Sequence, residues 1–543
     1  MLHDLLEPRL DLADIRGERD WHIFLRRPKL KILFVTDSRF TDTNSVYEYM
    51  QGQRIGCTDF QVHRAEYRTG ALNIDMTPGP DDPHYENFQF RSEKPGGGKI
   101  IDDYHVIYLF AVSSGSGIDD GEFAELHRWM DAGGGIFATG DHSTLGERMA
   151  SKIPRVGTMR KWTALDGVPP GTGPTRIDTN QPDPDVPGQV NGTDMIPGNV
   201  QRDEHPQAID WIPVRSQYVS AFTRRNFPHE ILCHPSLGPI DVMPDHPHEG
   251  ECVDPATITY TAKVKYGNQA TAPVEYPTHA GHQEAPVIVA KGRNAHEYWQ
   301  AKGELDAKVF DMISVYNGHK SNVGRVVVDS TWHHWYGMNI DGLVSAGGPN
   351  WEKIGRYFLN IGKYLAPAGV FRDRCWWDII DVQFDYPFAE EIIHTRRNAD
   401  LYELGSVFGE GLRRRWGPCS ELEFILLSIC DVRPELCELI EREVIPHWDP
   451  SQPPGPWCLP CPPFDAIRAA VLGGIVRGTA PIRDRLSKVF FEGEITKGDL
   501  SIEEIEKYAK KGVAEALDEL DAAVRKDLEQ LSNSWFETSR EVA

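Results

Sequence analysis

The chain has 543 residues, with 57 Lys or Arg against 81 Asp or Glu, so its formal net charge is −24. At about 150 residues per domain this length predicts several domains, and 40% hydrophobic with 25% charged residues excludes a wholly disordered chain. The acidic excess argues against a protein whose main task is to grip nucleic-acid phosphates, which requires clustered Lys and Arg.

The sequence shows no targeting or membrane signal. Residues 1–20 lack the apolar core of a signal peptide, and no apolar run approaches the roughly 20 residues needed to span a bilayer. Nine cysteines follow no framework spacing, which favours a reduced compartment. We therefore predict a cytoplasmic protein with no membrane partner and no nucleic-acid partner.

Short apolar runs that end in small polar or acidic residues predict buried strands. These runs are residues 30–36 before Asp37, 106–112 before Ser113 and Ser114, 136–139 before Gly140, Asp141, His142 and Ser143, and 326–328 before Asp329. A helix with Asp119 or Asp120 as its N-cap lies between the second and third runs. This alternation predicts an α/β fold with a flavodoxin-like parallel sheet and helices on both faces.

The composition and the residue patterns of the chain change along its length. We predict an N-terminal arm (1–28), a first part of the α/β core (29–150), an inserted β-rich cap (151–285), the last part of the core (286–365) and a mostly helical C-terminal region (366–543). The cap is rich in Pro and Gly and has alternating runs such as 257–261. Ser501 and Glu504 fit a capping box before a long helix, which packs on the core or binds a partner helix.

The carboxyl ends of the strands are the expected ligand site, because open parallel sheets bind ligands there. The predicted catalytic residues at these ends are Asp37, Asp141, His142, Asp329, His333 and His334. Imidazole titrates near neutral pH and therefore suits general acid–base or ligand roles. The predicted substrate contacts are Ser113, Ser114, Ser143, Trp332 and Trp335. Helix capping is the alternative role for Ser113, and core packing is the alternative for both tryptophans.

The inserted region holds a candidate metal site. Its predicted ligands are Asp245, His246, His248 and Glu249, a donor set that suits Zn, Mn or Fe. A solvated surface loop is the alternative. No nucleotide cofactor is predicted, because neither a P-loop nor a dinucleotide fingerprint is present.

The cysteines leave several roles open. Cys458 and Cys461 form a C-x-x-C in a Pro-rich segment. With Cys419, Cys430 or Cys437 they could hold a structural zinc, and free thiols are the alternative.

Several segments together resemble the class I glutamine amidotransferase-like superfamily and, within it, the ThuA-like (trehalose-utilisation) branch. The resemblance spans roughly residues 30–365 and is carried by the first strand at 31–37, the strand at 104–114, the glycine turn, strand and G-x-H-S pattern at 129–143, His205-Pro206 with 211–213, the late G-R-V strand at 324–328 with His333 and His334, and the closing helix at 351–365. It implies a site at the strand ends and carbohydrate-related substrates. His142 stands where glutaminases of this superfamily carry a nucleophilic Cys, so a glutaminase is not expected.

We therefore expect an enzyme of hydrolase type, or one that processes carbohydrate, with a small polar ligand and a divalent metal as its candidate cofactor. The alternative is a non-catalytic sensor or scaffold, which binds a ligand in a degenerate pocket and a partner, or a second copy, through its C-terminal helices. A subunit that acts only within a larger complex is a further alternative.

Overall fold

The structure is a computed structural model that describes residues 29–37, 43–76, 82–112, 117–140, 146–162, 206–220, 223–244, 250–258, 274–294, 297–299, 303–305, 308–385, 400–445, 464–492 and 501–541. The predicted N-terminal arm at 1–28 and the C-x-x-C of Cys458 and Cys461 lie outside these ranges.

A mixed sheet of eleven strands lies at the centre of the fold. Its strands are β1 (Lys29–Thr36), β2 (Arg54–Ile55), β3 (Thr58–Tyr67), β4 (Asn73–Asp75), β5 (His84–Phe88), β6 (Val106–Ala111), β7 (Gly135–Gly140), β8 (Asp210–Trp211), β9 (Val287–Asn294), β10 (Lys308–Tyr316) and β11 (Val326–Asp329). Their order across the sheet is β8-β9-β10-β11-β7-β6-β1-β3-β5-β4, and β2 pairs with β3.

Six adjacent strands run parallel, in the order β5, β3, β1, β6, β7 and β11. The register sets Ile32 beside Val106 and Val327 beside Phe137, so the carboxyl ends of these strands share one edge. Every residue of β6 and β7 is buried, as expected for parallel strands covered on both faces. The predicted α/β class with a largely parallel sheet is confirmed.

Antiparallel strands extend the sheet beyond the predicted parallel core. Strands β8, β9 and β10 continue it past β11, and β4 continues it past β5. The connection from β10 to β11 contains only a short 3-10 turn at Gly318–Ser321. A parallel pair would need a crossover of a dozen residues or more, so this short link enforces an antiparallel pair.

Twelve α-helices lie among the described residues. They are α1 (Asn44–Met50), α2 (Asp120–Asp131), α3 (Glu147–Ala150), α4 (Val156–Met159), α5 (Gly337–Ala346), α6 (Gly348–Leu365), α7 (Ala368–Asp385), α8 (Leu401–Trp416), α9 (Pro418–Val432), α10 (Pro434–Leu439), α11 (Phe464–Glu492) and α12 (Ile502–Glu541). Helix α2 begins as predicted: Asp119 accepts a hydrogen bond from the backbone N–H of Glu122, and Glu122 closes the capping box.

The two faces of the sheet bury separate clusters, because alternate side chains of a strand point to opposite faces. Ile32 and Phe34 of β1 join a cluster with α1, α5 and α6. Leu33 and Val35 join the other cluster, with α2, α3 and α4. The predicted helices on both faces are therefore present.

Besides α4 and β8, the described part of the predicted cap contains short antiparallel pairs. The pairs are Pro213–Ser220 with Thr223–Pro228, Cys233–His234 with Gly238–Pro239, Val242–Met243 with Gln207–Ala208, Glu251–Cys252 with Arg160–Lys161, and Thr278–His279 with His282–Gln283. A further pair, Glu297–Trp299 with Gly303–Leu305, lies between β9 and β10. Pro255–Thr257 form a 3-10 turn, so the strand predicted at 257–261 does not begin there, and residues 259–261 lie outside the description.

The C-terminal region is helical, as predicted, and is built into the core. Phe408, Ile425 and Leu472, from α8, α9 and α11, belong to the same hydrophobic cluster as Ile32 of β1. The hydroxyl of Ser501 accepts a hydrogen bond from the N–H of Glu504 at 3.1 Å, which caps α12. The sheet face and the C-terminal helices thus share one core.

Two further findings concern the cysteines and the helices. Cys430 and Cys437 form a disulfide, so the expectation of reduced thiols fails for this pair, and neither sulfur is available to a zinc ion in this form. None of the described helices combines the length and the apolar composition that crossing a bilayer requires.

Candidate functional site

Residues 329–335, which we call the strand-end cluster, leave the sheet at the carboxyl end of β11. The cluster closes with a 3-10 turn at His333–Trp335. Asp329, His333 and His334 are each 0% exposed. Burial of an acid and two imidazoles costs free energy unless these groups are paired, so their partners define the site.

Asp329 and His334 form a direct pair. Nδ1 of His334 lies 2.8 Å from Oδ2 of Asp329. The same oxygen accepts a hydrogen bond from the Tyr357 hydroxyl at 3.1 Å, and Oδ1 accepts one from the N–H of Thr331 at 3.3 Å. A carboxylate at Nδ1 holds the ring proton there, which leaves Nε2 as the nitrogen with a lone pair for a proton or a metal ion.

Tyr357 acts in this pair as a hydrogen-bond donor. Burial, and then the charge of Asp329, raise the pKa of the Tyr357 hydroxyl well above its usual value. The hydroxyl therefore keeps its proton at neutral pH and donates a hydrogen bond to the carboxylate.

His333 faces a different partner from its neighbour. Its Nδ1 lies 3.4 Å from Oδ1 of Asn339, and its backbone N–H donates to the Thr331 hydroxyl at 3.2 Å. The sequence left open which of the two adjacent histidines serves the site. The structure pairs His334 with an acid and His333 with an amide.

Arg160 joins the exits of two neighbouring strands. Its Nη2 donates to the carbonyl oxygens of Gly140, the last residue of β7, and Ser330, each at 2.8 Å. Its Nε donates to Ser330 as well, at 3.2 Å. The side chain is buried and its guanidinium lies 4.4 Å from the ring of Trp162. An isolated arginine forms no sequence pattern, and sequence reasoning missed it, as it missed Tyr357 and Asn339.

Gly250 brings the inserted region against the same point. A Cβ at this position would collide with the guanidinium of Arg160 and the carbonyl of Ser330, so only glycine permits this approach. The predicted metal ligands Asp245, His246, His248 and Glu249 directly precede Gly250 and lie outside the described residues. The chain therefore meets the strand-end cluster immediately after that segment.

Cys252 lies next to the site but is poorly suited to be a nucleophile. Its thiol is buried, 3.3 Å from the carbonyl oxygen of Met312 and 3.7 Å from that of Val328. Burial, and then the charge of Asp329, raise the pKa of this thiol well above its usual value. Because the thiolate is the reactive form of cysteine, Cys252 is inert at neutral pH.

Asp37 lies on the same edge but away from Asp329. Its Oδ1 accepts a hydrogen bond from the N–H of Val112 at 2.8 Å, which ties β1 to the exit of β6. Three strand spacings separate β1 from β11, or about 14 Å at the usual interval. The structure does not bring the two predicted acids together.

The two predicted tryptophans pack against other rings. The ring centroid of Trp335 lies 4.4 Å from that of Phe137 and 4.5 Å from that of Phe358. Trp332 lies 4.3 Å from Tyr336. Core packing is the alternative role predicted for these side chains, and their contact with a substrate stays a prediction.

The other predicted site residues lie outside the described ranges, namely Ser113, Ser114, Asp141, His142 and Ser143. The residues that directly precede them lie at the carboxyl edge of the sheet. Val112 is bound to Asp37, and Gly140 is bound to Arg160. The predicted segments therefore start from the carboxyl edge of the sheet.

Two further features near the site concern metal ligands and cavities. Within the described ranges, no three His, Cys, Asp or Glu side chains are grouped so as to hold a metal ion. A cleft of about 360 Å³ lies beside Arg160, Thr158 and Glu275, between the start of the inserted region and its later part. Lys152 and Lys161 give this cleft basic walls.

Comparisons of the chain with family models, with curated proteins and with solved structures gave no match.

Proposed function

We propose that the chain is an enzyme of hydrolase type that acts on a small polar substrate at the carboxyl edge of its sheet. The observation that carries this proposal is the buried Asp329–His334 pair at the end of β11. A carboxylate that orients an imidazole is a recurring element of general acid–base and metal sites. The resemblance to the ThuA-like branch favours carbohydrate as the substrate class.

The proposed roles follow from the contacts. His334 takes up or delivers a proton through Nε2, while Asp329 holds its ring and stabilises the imidazolium. Tyr357 positions the carboxylate by donating to Oδ2. Arg160 fixes the spacing between the exits of β7 and β11, from which the chain continues into Asp141 and His142.

A divalent metal ion fits this donor chemistry in one specific way. Both oxygens of Asp329 already accept hydrogen bonds, so Asp329 suits the outer role of orienting a ligand. His334 is then the candidate ligand, together with Asp245, His246, His248 and Glu249, whose segment ends at Gly250. When bound, such an ion would supply a water molecule ionised near neutral pH.

Elemental analysis of protein purified without an affinity tag tests the metal part of the proposal. We expect stoichiometric Zn, Mn or Fe in the native chain. We also expect about tenfold to hundredfold weaker retention in Asp329→Asn, the usual effect of losing an orienting partner. His127→Gln, on α2, is the matched control and should keep the metal. A chain without metal, whose melting temperature is unchanged by Zn or Mn, would remove this part and leave the acid–base role of His334.

A second candidate function is a scaffold that associates through α12. The observation that favours it is the outer part of this helix, where residues 521–523 and 525–527 are exposed while Leu520 and Val524 are half-buried. Light scattering on the full chain and on a chain that ends at Asp521 distinguishes the two functions. A scaffold of this kind loses its association on truncation, whereas an enzyme that does not associate through α12 keeps its oligomeric state and its activity.

A further inference from the structure

The cleft of about 360 Å³ lies between the start of the inserted region and its later part. Its volume is near the lower end of the range for small-molecule sites, which suits a ligand of about the size of one sugar ring. The residues that line it come from 151–161, from 253–258 and from position 275. Gly157 permits this packing, because a Cβ there would collide with the carbonyl oxygen of Ser151.

Positive charge predominates among the side chains that line the cleft. The cationic side chains of the lining are Lys152, Arg160 and Lys161. Against them stands the carboxylate of Glu275, which is 5% exposed. Its Oε1 accepts hydrogen bonds from the N–H of Arg155 at 2.6 Å and from the Thr158 hydroxyl at 2.9 Å. The lining therefore favours a ligand that carries negative charge.

Each of the two lysines has an acidic partner outside this lining. Nζ of Lys161 lies 3.3 Å from Oε2 of Glu251, the residue opposite it in the strand pair. Nζ of Lys152 lies 3.6 Å from Oδ1 of Asp120. Both distances exceed the roughly 2.7 to 2.9 Å of a strong charge-assisted hydrogen bond. An ammonium group has three N–H donors, so either lysine can bind an anionic oxygen and keep its acidic partner.

Two hydroxyl groups supply acceptors to the same lining. The hydroxyl of Ser151 donates to the carbonyl of Glu147 at 2.6 Å, and that of Thr257 donates to the carbonyl of Asp254 at 2.8 Å. Each proton is thus used within the protein, and each oxygen keeps lone pairs that accept hydrogen bonds. The cleft therefore combines donors on its lysines with acceptors on its hydroxyl groups.

We propose that this cleft binds a hydroxylated organic anion of about monosaccharide size. The anionic oxygens of a carboxylate or phosphate group bind Lys152 and Lys161, and the hydroxyl groups of the ligand donate to Ser151 and Thr257. Such a ligand matches both the charge and the hydrogen-bonding groups of the lining. The site is independent of the proposed hydrolase function, since these four residues lie outside the strand-end cluster.

Calorimetric titration of the full chain with glucuronate, glucose 6-phosphate and glucose, at pH 7 and constant ionic strength, tests this proposal. The three probes have sugar rings of similar size, and glucose lacks the charge. We expect one molecule of at least one of the two anions to bind per chain. Glucose should bind at least about tenfold more weakly, because it cannot form charge-assisted hydrogen bonds with the lysines.

Variants of the lining separate the two kinds of contact. Lys161→Met should weaken binding of the anion at least about tenfold, because it removes a charge-assisted donor. Thr257→Val removes one neutral acceptor and should weaken binding about twofold to tenfold. Lys291→Met is the matched control, because Lys291 also pairs with the acid opposite it on a neighbouring strand, Asp311, at 3.1 Å. Lys291 lies outside the lining of the cleft, so this variant should bind the anion as the wild type does.

The titrations of the wild type alone can overturn the proposal, whether or not the variants fold. Absence of saturable binding of both anions contradicts it, as does binding of glucose as tight as that of the anions. Unchanged anion binding by a folded Lys161→Met variant contradicts it as well. Tighter binding of glucuronate identifies a carboxylate as the charged group of the ligand, and tighter binding of glucose 6-phosphate identifies a phosphate.

Discussion

Nδ1 of His334 lies 2.8 Å from Oδ2 of Asp329, and neither side chain has exposed surface. The carboxylate fixes both the orientation of the imidazole and the nitrogen that carries its proton. Tyr357 extends this pair to α6, on one face of the sheet. The chemical capacity of the strand-end cluster therefore depends on an acid that is itself held in place.

Replacement of Asp329 should lower the free energy of unfolding more than removal of the Tyr357 hydroxyl does. We expect Asp329→Asn to lower the free energy of unfolding by about 2 to 3 kcal/mol, because hydrogen bonds to a buried charge are lost. Tyr357→Phe removes one donor and leaves the pair with His334, so its loss should be about 1 kcal/mol. Urea unfolding at pH 7 measures both. Equal losses would show that the carboxylate contributes no more than a neutral acceptor.

Arg160 should stabilise the fold through the geometry of its guanidinium group as well as through its charge. Arg160→Met leaves the carbonyl groups of Gly140 and Ser330 without their donor, at a cost of about 1 to 3 kcal/mol for each buried group. Arg160→Lys keeps the charge but not the fork, so it should recover only part of the loss. Melting temperatures of both variants provide the measurement. Lys152→Met is the control, because its side chain is 53% exposed. An Arg160→Lys variant as stable as the wild type would refute the geometric role.

The free energy of unfolding should decrease as the pH is lowered, because His229 is buried in its neutral form. Burial is the main cause that lowers the pKa of this imidazole to about 4, and its Nδ1 accepts the N–H of Ile231 at 3.3 Å. The unfolded chain, with a pKa of about 6.5, binds the proton first. The contribution of neutral His229 to the free energy of unfolding is therefore complete above the unfolded-state pKa. It is lost as the pH falls towards 4, by up to about 3 kcal/mol.

His229→Asn provides the comparison for this pH dependence. The amide oxygen can accept the same N–H and does not titrate. Urea unfolding between pH 7 and pH 5 should show a smaller loss of stability in the variant than in the wild type. Parallel pH profiles would mean that His229 is protonated alike in the folded and unfolded states.

Two truncations should have opposite effects. A chain that ends at Asp521 loses only the outer part of α12, so its melting temperature should change by less than about 2 °C. A chain that ends at Pro367 loses Phe371, Phe408 and Ile425, which complete the core on one face of the sheet. It should aggregate or unfold, because that face becomes exposed. A stable, soluble 1–367 fragment would contradict a shared core.

Local signals account for what could be predicted from the sequence. Apolar runs and their polar endings located β1, β6, β7 and β11, and the spacing of Asp119 and Glu122 located the start of α2. These features depend on residues that are adjacent in the chain. The edge that carries Asp329 followed from them, because parallel strands end on the same side.

What was missed depends on contacts between distant segments. Tyr357 meets Asp329 across 28 residues, and Arg160 meets Ser330 across 170 residues. Neither leaves a periodic or spaced pattern in the sequence. The antiparallel strands β9 and β10 were missed although Asn317-Gly318 marks a turn directly after β10. The sequence also placed Asp37 with Asp329 without regard to the two strands between them.

The proposed function requires that His334 takes part in the reaction. The most direct measurement compares initial rates of wild type, His334→Gln and the control His127→Gln on one panel of aryl glycosides, disaccharides and aryl esters. We predict hydrolysis of at least one member by the wild type and the control, with a rate at least about a hundredfold lower in His334→Gln, as expected for loss of a general acid–base group. Equal rates in all three proteins, or no hydrolysis by the wild type, would contradict the proposed function.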